Sequence, residues 1–179
     1  MSAIQIHDLH FMPYLSAAEI QARIEVLGQQ IHRDHQDHRP VFVGILNGAF
    51  IFLADLVRAA NIACEIAFMR VSSYEGTAST GVVKTIDGLS MEVKNRHVII
   101  VEDIVDTGRT MQQLLTDFAV LEVASVSVAT LLLKPDALLF PDLPLDYVGF
   151  EIPNKFVVGY GLDYNELGRN WNQIYQLVD

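Results

Sequence analysis

The run 97-HVIIVEDIVDTGRTM-111 holds the transition that decides the fold. Val98 to Val101 is continuously apolar, as a strand covered on both faces should be. Glu102 and Asp103 follow, and after Ile104 and Val105 comes the polar turn Asp106-Thr107-Gly108-Arg109-Thr110. Met111, Leu114, Leu115 and Phe118 then recur on one side of a helix expected over Thr110 to Leu121. Strand, polar turn and helix in that order make up a parallel-sheet unit, and ligands of such sheets bind beyond the carboxyl ends of the strands.

The same alternation extends outward. Ser16 and Glu19 have capping-box spacing ahead of Ile20, Ile24, Leu27 and Ile31, which predicts a helix over Ala17 to His32. Val41 to Leu46 reads as a strand ending at Asn47-Gly48, Phe50 to Ala60 as a helix, and Ile62 to Val71 as a strand. Ser125 to Leu133 is a β-branched apolar run suited to a fully covered strand. Short strands are expected around Tyr147 to Phe150, Val157 to Tyr160 and Gln173 to Val178. Ser72 to Gly81 is small and polar, the composition of a loop. The expectation is an α/β fold: one domain, a mainly parallel twisted sheet flanked by helices on both faces.

Composition narrows the function. A chain of 179 residues buries roughly 70% of its unfolded surface in a single domain. Its 51% hydrophobic content exceeds what a small monomer needs and points to a covered sheet or self-association. A net charge of −10 argues against a nucleic-acid face. No apolar run approaches a membrane span, Met1 to His10 lacks signal-peptide character, and the lone cysteine, Cys64, can form no intramolecular disulfide. A cytoplasmic protein is the expectation.

The turn has the chemistry of a phosphate site. Thr107, Gly108, Arg109 and Thr110 offer successive backbone N–H groups and two hydroxyls at a helix N-terminus. Glu102, Asp103 and Asp106 cannot serve that phosphate. Glu102 and Asp103, adjacent in a strand, should face opposite ways, a poor arrangement for a glycosidase-type acid/base pair. They suit a neutral diol or a cation instead. A ribose 5-phosphate fits both halves. An isolated D-x-G is usually only a helix cap; this longer constellation is more specific.

VIIVEDIVDTGRTM resembles the phosphoribosyl-pyrophosphate motif of purine phosphoribosyltransferases. With GILNGAFIFLADLVR, SSYEGTASTG, LLLKPD, VGFEIPNKFVVGYGLDYNE and Arg169 in matching order, the chain from about Val41 onward resembles the hypoxanthine-guanine phosphoribosyltransferase family. The resemblance implies the type I phosphoribosyltransferase fold with a small hood built from terminal segments. It implies purine salvage: transfer of the 5-phosphoribosyl group from phosphoribosyl pyrophosphate to N9 of hypoxanthine or guanine, giving IMP or GMP and pyrophosphate.

Residue roles follow from the same resemblance. Glu102 and Asp103 match the pair at the ribose hydroxyls, with Asp103 acting through Mg²⁺ or water; Asp106 matches the proposed general base near N7. Thr107 to Thr110, including Gly108 and Arg109, match the 5′-phosphate loop. Lys134 matches the donor to the purine O6, Phe156 the aromatic that stacks on the base, and Val157 a backbone contact to its edge. Asp163 matches a carboxylate on the magnesium side and Arg169 a pyrophosphate contact. Leu46, Asn47 and Gly48 match the pyrophosphate loop, whose first peptide bond is often cis in the family. Many members carry a basic residue where this chain has Asn47. Ser73 and Tyr74 match the tip of a closing loop. Mg²⁺ is the implied cofactor, and a homodimer or homotetramer the implied assembly.

His32, His35 and His38 recur among charged residues at an expected helix end and read as a solvated terminus rather than a zinc site. Gly159-x-Gly161 lacks the third glycine of a dinucleotide fingerprint. Cys64 reads as a buried small hydrophobe. An RNA-binding regulator of the same fold is disfavoured by Asp106 and the negative charge; xanthine specificity is disfavoured less strongly, and adenine specificity by Lys134.

Overall fold

The computed structural model describes residues 2–71, 89 and 91–178. Its centre is a parallel sheet of β3 (Val41–Leu46), β4 (Glu65–Arg70), β5 (His97–Val105), β6 (Ser125–Leu133) and β7 (Tyr147–Glu151), in the order β4-β3-β5-β6-β7. Helices α1 (Ala17–His35) and α2 (Phe50–Ala60) cover one face through Ile20, Ile24, Leu27, Phe52, Leu53 and Leu56. Helix α3 (Arg109–Val120) covers the other with Met111, Leu114 and Phe118. Both faces of β3, β5 and β6 are therefore buried, which accounts for their unbroken apolar runs.

A second, antiparallel sheet of order β1-β2-β9-β8 is built from β1 (Ile4–Ile6), β2 (Leu9–Leu15), β8 (Val157–Val158) and β9 (Ile174–Leu177). It closes a small core around Ile6, Phe11, Val158 and Tyr175 and forms the expected hood. Strands β1 and β2 were not expected. Strand β2, with Pro13 inside it, is stabilised by pairing with β9, more than 150 residues away, and β1 in turn pairs with β2.

The end of α1 also departs from the sequence reading, running to His35. His35 is buried rather than solvated. Tyr147 Oη donates to Asp34 Oδ2 at 2.8 Å, so it accepts from His35 Nε2–H at 3.1 Å. His35 Nδ1 then carries a lone pair with no partner. His38 stacks on His97 with ring centroids 4.1 Å apart. Among the described residues no group of three His, Cys, Asp or Glu side chains converges as a metal site, this cluster included. Cys64 is only partly buried.

Candidate active site

The sheet order fixes where a ligand can enter. From β3 the chain moves outward through α2 to β4, then returns to place β5 on the other side of β3. Between the carboxyl ends of β3 and β5 the flanking loops diverge, which opens the crevice in which open α/β sheets bind ligands. A cavity of about 300 Å³ lies there, lined by Ile45 to Gly48 at the end of β3 and by Glu102 to Met111 from β5 into α3.

The helix N-termini at this crevice are left open. Helix α1 carries a complete capping box between Ser16 and Glu19. By contrast, α2 begins at Ala49 and α3 at Gly108, neither with a side-chain cap. Asp106 lies two residues before the Gly108 cap and is not a cap itself. The first N–H groups of α3, with the hydroxyls of Thr107 and Thr110, therefore have capacity for an anion.

Glu102 and Asp103 lie inside β5, which continues to Val105, and not at its end. Strict alternation would place them on opposite faces, but the alternation slips at this point. Ile99 and Val101 pack with α1 and α2, and so does Ile104, while Val105 packs on the α3 side. The same slip occurs in β6, where Ala129, Leu131 and Leu132 all join the first cluster and Leu133 the second. Register is kept throughout, Glu102 opposite Thr130 and Ile104 opposite Leu132. On β7 the neighbouring residue is Gly149, where a Cβ would collide with the Leu131 carbonyl. The two carboxyls consequently act on each other. Burial, and next the charge of Asp103, push the Glu102 carboxyl well above its ordinary range. Burial also raises Asp103. Glu102 Oε2 is buried without a hydrogen-bond partner.

Three segments meet tightly at Asp103. A Cβ on Gly48 would overlap Asp103 Oδ2, and a Cβ on Gly161 would overlap the Gly48 carbonyl oxygen. The Leu46–Asn47 peptide bond is cis. The Gly48–Gly161 contact was not legible from the sequence; the only signal was the pair of glycines in VVGYGLD, read there for a fingerprint it does not make.

Lys134 follows β6 and is only 7% exposed. It donates to Asp106 Oδ2 at 2.7 Å across the β5–β6 seam. A second, more open cavity of about 490 Å³ shares Leu46 and Asn47 with the first and adds Phe50, Phe68, Glu166 and Arg169. Arg169 Nη2 pairs with Asp163 Oδ1 at 2.7 Å, while Asp163 Oδ2 accepts from the Glu166 N–H at 2.7 Å. Phe156 and Val157 line neither cavity. Val157 is buried in β8; Phe156 is 43% exposed, its ring edge-on to Tyr164 at 5.9 Å. Ser73 and Tyr74 lie outside the described residues. Among the described residues no helix is long and apolar enough to cross a membrane.

Residues 14–165 match the phosphoribosyl transferase domain family. A hypoxanthine-guanine phosphoribosyltransferase of Streptococcus pneumoniae is 46% identical over 157 residues, covering 87% of each chain. A hypoxanthine phosphoribosyltransferase of Haemophilus influenzae is 42% identical over 177 residues, 94% of this chain and 96% of the relative. Among solved structures, a hypoxanthine phosphoribosyltransferase from Staphylococcus aureus superposes with a TM-score of 0.86 at 41% identity, covering 93% of this chain and 91% of that one. A family domain over most of the chain, relatives of nearly equal length and a shared fold agree, and the chain belongs to the phosphoribosyl transferase family, among the hypoxanthine-guanine phosphoribosyltransferases.

Proposed function

We propose that this chain transfers the 5-phosphoribosyl group of phosphoribosyl pyrophosphate to N9 of hypoxanthine and of guanine, giving IMP or GMP and pyrophosphate. The observation that carries the reading is the pairing, in one cavity, of two partly buried, mutually interacting carboxyls with an uncapped Thr-Gly helix start. In the reaction the C1′–O bond to pyrophosphate breaks, the N9–C1′ bond forms, and the purine loses a proton. Thr107 to Thr110 hold the 5′-phosphate through backbone N–H groups and hydroxyls. Glu102 and Asp103 accept the ribose hydroxyls and face the positive charge that develops at C1′, stabilising it more than the ground state.

Lys134 and Asp106 form a donor–acceptor pair that matches one purine edge. The ammonium donates to O6 and the carboxylate takes the proton at N7. An aminopurine would present a donor to the ammonium, and binding would leave its purine-directed N–H without an acceptor. Phe156 stacks on the base and Val157 meets its edge through the backbone. Leu46, Asn47, Gly48 and Arg169 hold the leaving pyrophosphate, and Ser73 and Tyr74 belong to the segment that closes over it.

Mg²⁺ suits these residues. The unpartnered Glu102 Oε2 and the raised carboxyls of Glu102 and Asp103 are compensated by a cation. Asp163, whose oxygens keep free lone pairs beyond their contacts to Arg169 and Glu166 N–H, contributes from the pyrophosphate side. Glu102, Asp103 and Asp163 would hold the ion through few protein oxygens, leaving room for water and substrate. When bound, it neutralises charge on the departing pyrophosphate.

A cytoplasmic setting and a homodimer or homotetramer belong to the same proposal; exposed Phe50, Ile66 and Phe68 are apolar surface suited to self-association. Initial-rate assays with phosphoribosyl pyrophosphate, Mg²⁺ and each of hypoxanthine, guanine, xanthine and adenine test the reading. Transfer to the first two and none to adenine is expected. Transfer to none of the four would overturn it.

A further inference from the structure

The proposed site must hold a polyanion in a protein of net charge −10, in a cavity lined by Glu102, Asp103 and Asp106. Two of its cations are already engaged: Lys134 with Asp106, and Arg169 with Asp163. Arg70, the last residue of β4, is placed differently. Its Nη2 donates to Asn47 Oδ1 at 3.3 Å, and among the described residues no carboxylate pairs with it. Asn47 lines both cavities, and Arg70, which lines neither, reaches them through Asn47. Parallel pairing puts it there, with Leu46 of β3 opposite Arg70 of β4.

A guanidinium can only donate, so it fixes the amide with its oxygen turned toward Arg70. That leaves the Asn47 Nδ2 hydrogens, which can only donate, for an anion. We infer that Arg70 is a positioning residue for pyrophosphate: it orients Asn47 and supplies, from the neighbouring strand, the positive charge that residue 47 lacks. This rests on the phosphoribosyl-transfer reading and adds a residue to it.

Arg70 is exposed on an edge strand and its loss removes no core packing, so its variants should fold. The test is titration of inorganic pyrophosphate with Mg²⁺ into the parent, Arg70→Gln, Arg70→Lys and the double variant Arg70→Gln/Asn47→Lys, together with KM for pyrophosphate in the reverse reaction. Arg70→Gln should weaken pyrophosphate binding and raise its KM about tenfold, the scale of one charge-assisted hydrogen bond. The purine KM should stay within about twofold while the KM for phosphoribosyl pyrophosphate rises with that for pyrophosphate, and the deficit should shrink at high salt because the charge is solvent-screened. Arg70→Lys should keep part of the affinity, and the double variant should regain it by moving the charge to position 47. Pyrophosphate affinity in Arg70→Gln equal to that of the parent would overturn the inference whatever the purine assays give. So would a double variant no better than Arg70→Gln. Failure of the transfer assay is read separately, in the unmodified enzyme.

Discussion

Lys134 Nζ and Asp106 Oδ2 lie 2.7 Å apart, the lysine 7% exposed and the aspartate side chain 46% exposed. The pair is lopsided: a buried cation held by a carboxylate that is half in water. Removing the two partners should therefore have different consequences. Lys134→Ala leaves an aspartate that water can solvate, so the fold should tolerate it while purine affinity falls much more than phosphoribosyl pyrophosphate affinity. Calorimetry showing the reverse order would reject the O6 assignment.

Asp106→Ala leaves a buried ammonium alone, a costlier defect, and stability should drop by about 1–3 kcal/mol, below the range for a fully buried pair because Asp106 is itself half exposed. It should also lower kcat by about 10²–10⁴ through loss of proton transfer, with a smaller effect on the phosphoribosyl pyrophosphate KM. Chemical denaturation and steady-state rates on the same variant separate the two effects. An unchanged kcat would remove Asp106 from the chemistry.

A Cβ at Gly48 would meet only the Asp103 carboxyl, so Gly48→Ala must displace that carboxyl, while the Gly161 backbone packed on the Gly48 carbonyl hinders the loop from moving instead. Overpacking of this kind costs about 1–3 kcal/mol. Because Asp103 is what moves, phosphoribosyl pyrophosphate KM should rise together with the loss in thermal midpoint. An alanine variant with the parent's melting temperature and KM would show that the three segments are not locked.

How much of this was legible depends on where each signal lay. The central sheet was, because β3, β5 and β6 are local apolar runs whose burial on both faces writes itself into Val41–Leu46, His97–Val105 and Ser125–Leu133. The phosphate loop was legible for the same reason, its residues being contiguous. Contacts between distant segments were not. Nothing in VIIVEDIV announces that alternation slips at Glu102; the sign is Gly149, an isolated glycine in a strand two positions across the sheet. Strand β2 depends on β9, and Arg70 reaches Asn47 only because β4 lies beside β3.

Glu102 gives a prediction with a definite sign. Its folded pKa is raised above the ordinary 4.5 by burial and by Asp103, so ionising it destabilises the free protein. That cost is absent at low pH and grows as pH rises from 4.5 through the raised value. Glu102→Gln should therefore stabilise the free protein by about 1 kcal/mol at pH near 8, with less gain near pH 5. The same variant should bind phosphoribosyl pyrophosphate with Mg²⁺ more weakly. Urea midpoints at both pH values, with and without ligand, read this out; equal stability at pH 8 would mean that the parent carries no such strain.

The opposite sign is expected at the far end of the sheet. His35 is buried, with Nε2 committed to Tyr147 and Nδ1 facing no acceptor, so a second proton has nowhere to bond. Burial is the main cause that lowers its pKa; His97 and His38 add to it, while Asp34 and Asp146 oppose it. His97 is lowered too, by burial and then by His38 stacked against it. The unfolded chain takes up protons near the ordinary 6.5 before the folded chain does, so stability is full above that value and is lost as pH falls through it toward the lowered folded pKa. His35→Gln keeps a donor for Tyr147 but cannot charge. Its urea midpoint should fall less than the parent's between pH 8 and pH 5. Parallel pH profiles for the two proteins would show that the buried histidine does not couple proton uptake to unfolding.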